Sequence, residues 1–266
     1  MSVLVSLDRL LRRFGTFTAV NALSLDVQRG EVFGLVGPNG AGKSTTIKML
    51  TTLLPPTAGT ATIAGYDLLH QQAQVRRIIG YVPQALSADG TLTGYENLLI
   101  FARLYDLSRR DAARRAAAAL EFMGLADAAH KLARTYSGGM IRRLEVAQAL
   151  LHEPQVLFLD EPTVGLDPVA RKAVWQHLDE IRAQTGMTLF LTTHYMEEAD
   201  SLCQRVAIMH RGEISALGSP EALKASLGQA GATLDDVFAH YTGAVLETGG
   251  SFRDTSRTRR TAARLG

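Results

Sequence analysis

Apolar positions along the chain follow two rhythms. Val3-Leu4-Val5-Ser6-Leu7 and Ala22-Leu23-Ser24-Leu25-Asp26-Val27 alternate with the two-residue period of half-buried strands, and Arg29-Gly30 punctuates them. Glu31–Val36, Thr60–Ile63, Ile78–Val82, Val156–Leu159, Thr188–Thr192 and Arg205–Met209 are short strand candidates, several of them apolar almost throughout. Between Gln84 and about Pro154 the period becomes helical. Asn97–Tyr105 is apolar and aromatic at helical spacing. Ser108 reads as an N-cap with acidic Asp111 three residues on, followed by the Ala-rich run Ala112–Met123 and a stop at Gly124. Ser137 reads as the N-cap of Met140–Leu151, where Ile141, Leu144 and Leu151 keep an apolar stripe. Continuous strands separated by helices predict an α/β fold with a parallel sheet covered on both faces, here interrupted by a helical lobe. Beyond about Gly243 the composition turns to Gly, Ser, Thr and Arg and reads as disordered.

Composition narrows the functional classes. The chain has 266 residues, 46% hydrophobic and 20% charged, an ordinary globular balance with apolar content for a sizeable core. A net charge of +2 gives no electrostatic footprint for nucleic acid, and none is expected as a partner. The one cysteine, Cys203, excludes an intrachain disulfide framework and a Cys-rich zinc site, and reads as a small buried hydrophobe of a reducing cytoplasm. Met1–Leu11 carries Asp8 and Arg9 and does not read as a signal peptide. No uncharged apolar run reaches the roughly 18 residues of a spanning helix, so any membrane role is expected to come through a partner.

Chemistry enters at Gly37-Pro38-Asn39-Gly40-Ala41-Gly42-Lys43-Ser44, a complete G-x-x-x-x-G-K-[ST] loop between a predicted strand and the helix that opens at Thr45. Its glycines let successive backbone N–H groups face phosphate oxygens, Lys43 reaches the β and γ phosphates, and the Ser44 hydroxyl suits Mg²⁺. Val156–Leu159 ends in Asp160-Glu161 at the sheet edge where open α/β sheets bind ligands. Asp160 fits the metal-holding acid of P-loop enzymes. Glu161, expected to point the other way along the pleat, fits a group that polarises an attacking water. Ser137-Gly138-Gly139 at a helix N-terminus offers bare N–H groups and one hydroxyl to an anion.

Taken together, these motifs resemble the ATP-binding subunit of an ABC transporter over about residues 3–225. Gly37–Ser44 matches the Walker A loop and Gln84 the Q-loop. Ser137-Gly138-Gly139 matches the signature, Val156–Glu161 the Walker B strand, and Gly165-Leu166-Asp167-Pro168 the D-loop. His194 matches the switch histidine, and Phe14 sits where the family places an adenine-stacking aromatic. Tyr136 and Met140 replace the outer residues of the usual signature, and Gly165 stands where Ser is common. The stretches Glu161–Pro168, Thr193–Asp200 and Leu234–Phe238 are similar to ABC-2 type exporters of the daunorubicin-resistance kind, whose ATPase and permease are separate chains.

The resemblance implies an α/β P-loop NTPase (ABC ATPase) core with a parallel sheet, an N-terminal antiparallel β subdomain and an inserted helical subdomain. In this reading 1–243 is the ATP-binding domain: about 1–85 and 154–225 form the core, about 86–153 the helical subdomain, and 226–243 a helical extension. Residues 244–266 are a basic tail, solvated or leaning on anionic lipid. Residues 37–45 (through Thr45), Phe14, Ser137, Gly138, Gly139 and Asp167 are implied to bind ATP. Ser44, Gln84 and Asp160 are implied to hold Mg²⁺. Glu161 is the expected base, with Lys43, Gln84 and His194 completing the catalytic set. Implied partners are a second ATP-binding subunit, joined head to tail, and membrane permease chains that hold the protein at the cytoplasmic face of the plasma membrane. The segment between Gln84 and Asn97, with Tyr95 and Glu96, is the implied permease groove. An importer subunit, a non-transport ABC ATPase and a stand-alone P-loop kinase remain alternatives.

Overall fold

In the computed structural model, which describes residues 2–243, the N-terminal alternation becomes a hairpin longer than the pattern marks. β1 (Val3–Phe14) pairs antiparallel with β2 (Phe17–Gln28) and with β4 (Ala58–Ile63), which pairs with the short β5 (Tyr66–Asp67). This gives a four-stranded antiparallel sheet in the order β2-β1-β4-β5.

The buried apolar runs form the second sheet. β3 (Val32–Val36), β6 (Ile79–Val82), β7 (Val156–Asp160), β8 (Thr188–Thr193) and β9 (Arg205–His210) run parallel, and β10 (Glu213–Gly218) closes one edge antiparallel. The order is β10-β9-β3-β8-β7-β6. Side chains of β7 alternate between two cores. Val156 and Phe158 pack with Phe33, Phe190, α1 (Lys43–Leu50) and the antiparallel sheet. Leu157 and Leu159 pack with the helices on the opposite face. A strand buried on both sides cannot afford the polar alternation seen in the N-terminal hairpin, which is why these runs read as continuous.

Helices α3 (Gly94–Leu104), α4 (Arg109–Phe122) and α5 (Gly138–Leu150) lie between β6 and β7 in the chain and pack on one another. Their caps follow the sequence: the Ser108 hydroxyl accepts from the Asp111 amide at 3.1 Å, and the Ser137 hydroxyl from the Met140 amide at 3.3 Å. α6 (Pro168–Thr185) starts on Asp167, whose carboxylate accepts from the Val169 and Ala170 amides at 2.9 Å each. α7 (Met196–Leu202), α8 (Pro220–Ser226) and α9 (Leu234–Thr242) complete the described chain, with Val237 and Phe238 of α9 buried. The sequence did not signal α2 (Gln72–Ile78), which buries only Val75, or the half-buried edge strand β10; neither carries a clear apolar period. The basic tail lies outside the described residues.

Candidate active site

Neighbouring strands β3, β8 and β7 all end on polar segments, and these converge. After β3 the loop folds on itself through a 3.2 Å bond from the Ala41 amide to the Pro38 carbonyl. Buried Ala41 anchors the loop from behind, its carbonyl accepting from the Gly212 amide at 2.9 Å. Gly42 stands at φ +109°, and a Cβ there would lie 2.4 Å from the Ala19 carbonyl oxygen, so only glycine fits. α1 begins at the next residue, with its unpaired first-turn amides and positive dipole end at the loop. Asn39, Gly40, Gly42, Lys43, Ser44 and Thr45 line one side of a cavity of about 360 Å³; Gln84 and Glu161 line another.

The buried Lys43 ammonium donates to the Gly37 and Pro38 carbonyls at 2.8 and 3.0 Å and lies 3.1 Å from Glu161 Oε1. Asp160 Oδ1 accepts from Ser44 Oγ at 2.9 Å and from Thr192 Oγ1 at 2.7 Å. Glu161 departs from the expectation that it points away from Asp160. Its backbone is left-handed (φ +47°), so the pleat ends at Asp160 and both carboxylates reach loop residues. Thr192 fixes this turn: its hydroxyl accepts from the Glu161 amide at 3.0 Å while donating to Asp160. Glu161 Oε2 accepts from Gln84 Nε2 at 3.1 Å and lies 3.3 Å from His194 Nδ1, a contact without hydrogen-bond alignment. Burial, reinforced by the nearby Asp160 charge, raises the Tyr81 phenol to about 12.

A small divalent cation fits this donor set. Ser44 and Asp160 offer oxygens side by side, and Gln84 engages Glu161 through its nitrogen, leaving its amide oxygen to face another partner. Among the described residues no group of three or more His, Cys, Asp or Glu forms a metal cluster. A cation held here would therefore draw most of its shell from a phosphate ligand and water, the habit of magnesium.

Phe14 and the Ser137–Gly139 segment lie off this cavity. Phe14 does not line the cavity; it carries the Arg12 guanidinium 4.5 Å above its ring, and the aromatic at the cavity is exposed Phe17, beside Ala19. Ser137, Gly138 and Gly139 are likewise outside its lining, where the family resemblance puts groups that meet a second subunit's nucleotide; they sit at the start of α5, and Gly139 packs so close to α6 that a Cβ would stand 2.8 Å from Ala170 Cβ. Residue-type reasoning missed Thr192 and Phe17. It also missed Glu198, which accepts from Thr163 Oγ1 at 2.6 Å and Thr193 Oγ1 at 3.1 Å and so ties the segments after β7 and β8 together.

This combination of a phosphate-binding loop, a strand-end carboxylate pair and a histidine just past the end of the adjacent strand defines a P-loop nucleotide hydrolase. The family model for ABC transporters matches residues 20–164. The linearmycin resistance ATP-binding protein of Bacillus subtilis (strain 168) is 42% identical over 221 residues, 83% of this chain and 71% of that one. The daunorubicin/doxorubicin resistance ATP-binding protein of Streptomyces peucetius is 47% identical over 82% of this chain and 66% of that one. A solved ATP-binding subunit of an ABC transporter superposes with a TM-score of 0.80 at 31% identity, covering 90% of this chain and 99% of that one. The chain belongs to the ATP-binding subunits of ABC transporters. It is accordingly an ATP-binding ATPase of a family that works with membrane permeases; among its described residues no helix is long and apolar enough to cross a membrane.

Proposed function

We propose that this subunit powers export of a drug-like or hydrophobic compound through a separate permease chain, with Glu161 as the base of a magnesium-dependent ATP hydrolysis. The observation that carries the reading is the position of Glu161, whose two oxygens meet Lys43, Gln84 and His194 at the cavity edge. Names of both resistance relatives support export over import.

Loop amides of residues 40–43 and Lys43 bind the β and γ phosphates. Ser44, Gln84 and Asp160 hold Mg²⁺, which when bound neutralises charge developing on the transferred phosphoryl group. Thr192 keeps Asp160 and Glu161 in register. Glu161 orients the attacking water, and His194 holds Glu161 and the γ-phosphate. Phe17, or Phe14 after a turn of the hairpin tip, stacks on the base. Ser137, Gly138, Gly139 and Asp167 face the nucleotide of a second copy, so that two ATP molecules close a head-to-tail dimer. Residues 86–153 form the helical subdomain, and exposed Leu86 with the segment up to Asn97 meets the permease, which holds the protein at the cytoplasmic membrane face.

Glu161→Gln tests the assignment. The variant is expected to retain ATP binding, at least as tight as wild type because Lys43 loses its anionic partner, while turnover falls about a thousandfold or more, the scale of losing a base in a positioned site. Turnover near the wild-type rate would remove Glu161 from this role.

A further inference from the structure

Three polar side chains interrupt the buried face of α5 at i, i+3 and i+6: Arg142, Glu145 and Gln148, each about 2% exposed. All three serve the segment that follows β6. Arg142 Nη1 donates to the Pro83 carbonyl at 2.6 Å and Nη2 to the Gln84 carbonyl at 2.9 Å. Glu145 pairs with Arg142 at 3.0 Å and accepts from the Ser87 amide, the Ser87 hydroxyl (3.2 Å) and the Ala88 amide (3.4 Å). Gln148 donates at 3.3 Å to Asn97, which in turn holds the amide and carbonyl of Asp89 at 2.9 Å each. Pro83, Gln84, Ser87 and Ala88 are therefore fastened directly to α5, and Asp89 is held through Asn97 of α3.

Taking an ion pair out of water is costly, and two apolar side chains of similar length commonly do as well or better for stability. The pair's bonds go to the loop backbone on both sides of Gln84, and Gln84 in turn donates to Glu161 at 3.1 Å. The N-cap of the same helix, little more than a turn before Arg142, is Ser137. We propose that Arg142 and Glu145 are positioning residues that join α5 and the 83–89 loop into one body, so that an anion engaged at Ser137–Gly139 sets the position of Gln84 against Glu161. The inference rests on the proposed role of Glu161 and adds to it a link from one composite site to the other through this chain's own helix.

The full-length chain tests the link. In Arg142→Met/Glu145→Met the charges leave together, so no buried charge is left unpaired, and the melting temperature is expected to stay within a few degrees of wild type. ATP affinity is expected to stay within about twofold while kcat falls about tenfold, the signature of lost positioning rather than lost binding. Arg142→Lys keeps the charge, but a single ammonium cannot reproduce the two-pronged grip on both carbonyls, so an intermediate kcat is expected. That loss is expected to vanish in a Gln84→Ala background, because both changes act on one path. A folded double variant with wild-type kcat, ATP affinity falling in step with kcat, or an undiminished Arg142→Lys effect without Gln84 would each overturn the proposal. Should the double variant not fold, the Arg142→Lys pair of measurements decides. Glu161→Gln assayed alongside separates the two layers: turnover near wild type in that variant overturns the Glu161 reading itself, whereas its expected loss together with any of the overturning results removes the clamp alone.

Discussion

At Gly42 the left-handed backbone and the Ala19 carbonyl together exclude any side chain. Gly42→Ala must reshape the loop and is expected to weaken ATP binding by about tenfold or more, read by calorimetric titration. Cys203 behaves as its isolation in the sequence implied. It is buried, and burial with the charges of Glu198 and Glu31 lifts its thiol well above the usual range. Native protein at pH 8 is expected to resist an aromatic disulfide reagent for far longer than denatured protein, which reacts at once. Fast native labelling would contradict the packing. The P-loop was legible residue by residue because each of its positions has one chemical duty. Glu161's direction was not, because the pleat rule presumes a strand that continues, and here it breaks at φ +47°. Thr192 hid as an ordinary β-branched strand residue; only its two hydrogen bonds reveal that it aligns both carboxylates. Phe14 and Phe17 flank a tight two-residue turn, and sequence position alone does not say which ring faces the cavity.

The helices were visible where caps bracket them, at Ser108 and Ser137, and invisible where they are short and nearly bare of buried residues, as in α2. Two elements make stability predictions. α9 is held by Phe238, 1% exposed and set edge-on against His210. Phe238→Ala is expected to cost about 3–5 kcal/mol in denaturant unfolding. His152, just after α5, stacks on Tyr105 at the end of α3 with ring centroids 3.6 Å apart. Its Nε2 faces the Ile79 carbonyl at 2.8 Å; a carbonyl only accepts, so the neutral ring carries its proton on Nε2. Nδ1 is buried without a partner, and a proton added there would find no acceptor. Burial accordingly lowers this imidazole below its usual 6.5. The unfolded chain takes up the proton first as pH falls, so the contribution of neutral His152 is whole above about 6.5 and is lost as pH drops towards the lowered folded value. His152→Gln, which keeps a donor for Ile79, is expected to flatten this acid-side loss of melting temperature between about pH 7.5 and 5.5.

For the whole molecule, the distance between pattern and assembly decides what a sequence can say. The parallel sheet was legible because strands buried on both faces must be apolar throughout, and the helical lobe because its period differs. That the cradle at Ser137 stands off the cavity was implied by the family resemblance and not by spacing, since three-dimensional separation has no sequence period. If each site is completed by a second copy, two separately dead variants complement one another. Lys43→Ala and Ser137→Ala, mixed in equal amounts, are expected to recover about a quarter of wild-type turnover, because half of the random dimers hold one intact site out of two. Recovery of nothing from folded, ATP-competent partners would argue for a site complete within one chain. Lys43 meets an arriving phosphate with its charge already matched by Glu161. Nucleotide capture here swaps one anionic partner for another rather than drawing in ligand with a bare cation, so dissolved ions have little uncompensated field to screen. ATP affinity is expected to fall only gently between about 0.05 and 0.5 M salt, and more steeply in Glu161→Ala, where the lysine stands alone. The same swap releases the carboxylate as the phosphate arrives, so the substrate itself frees the group that would act on it.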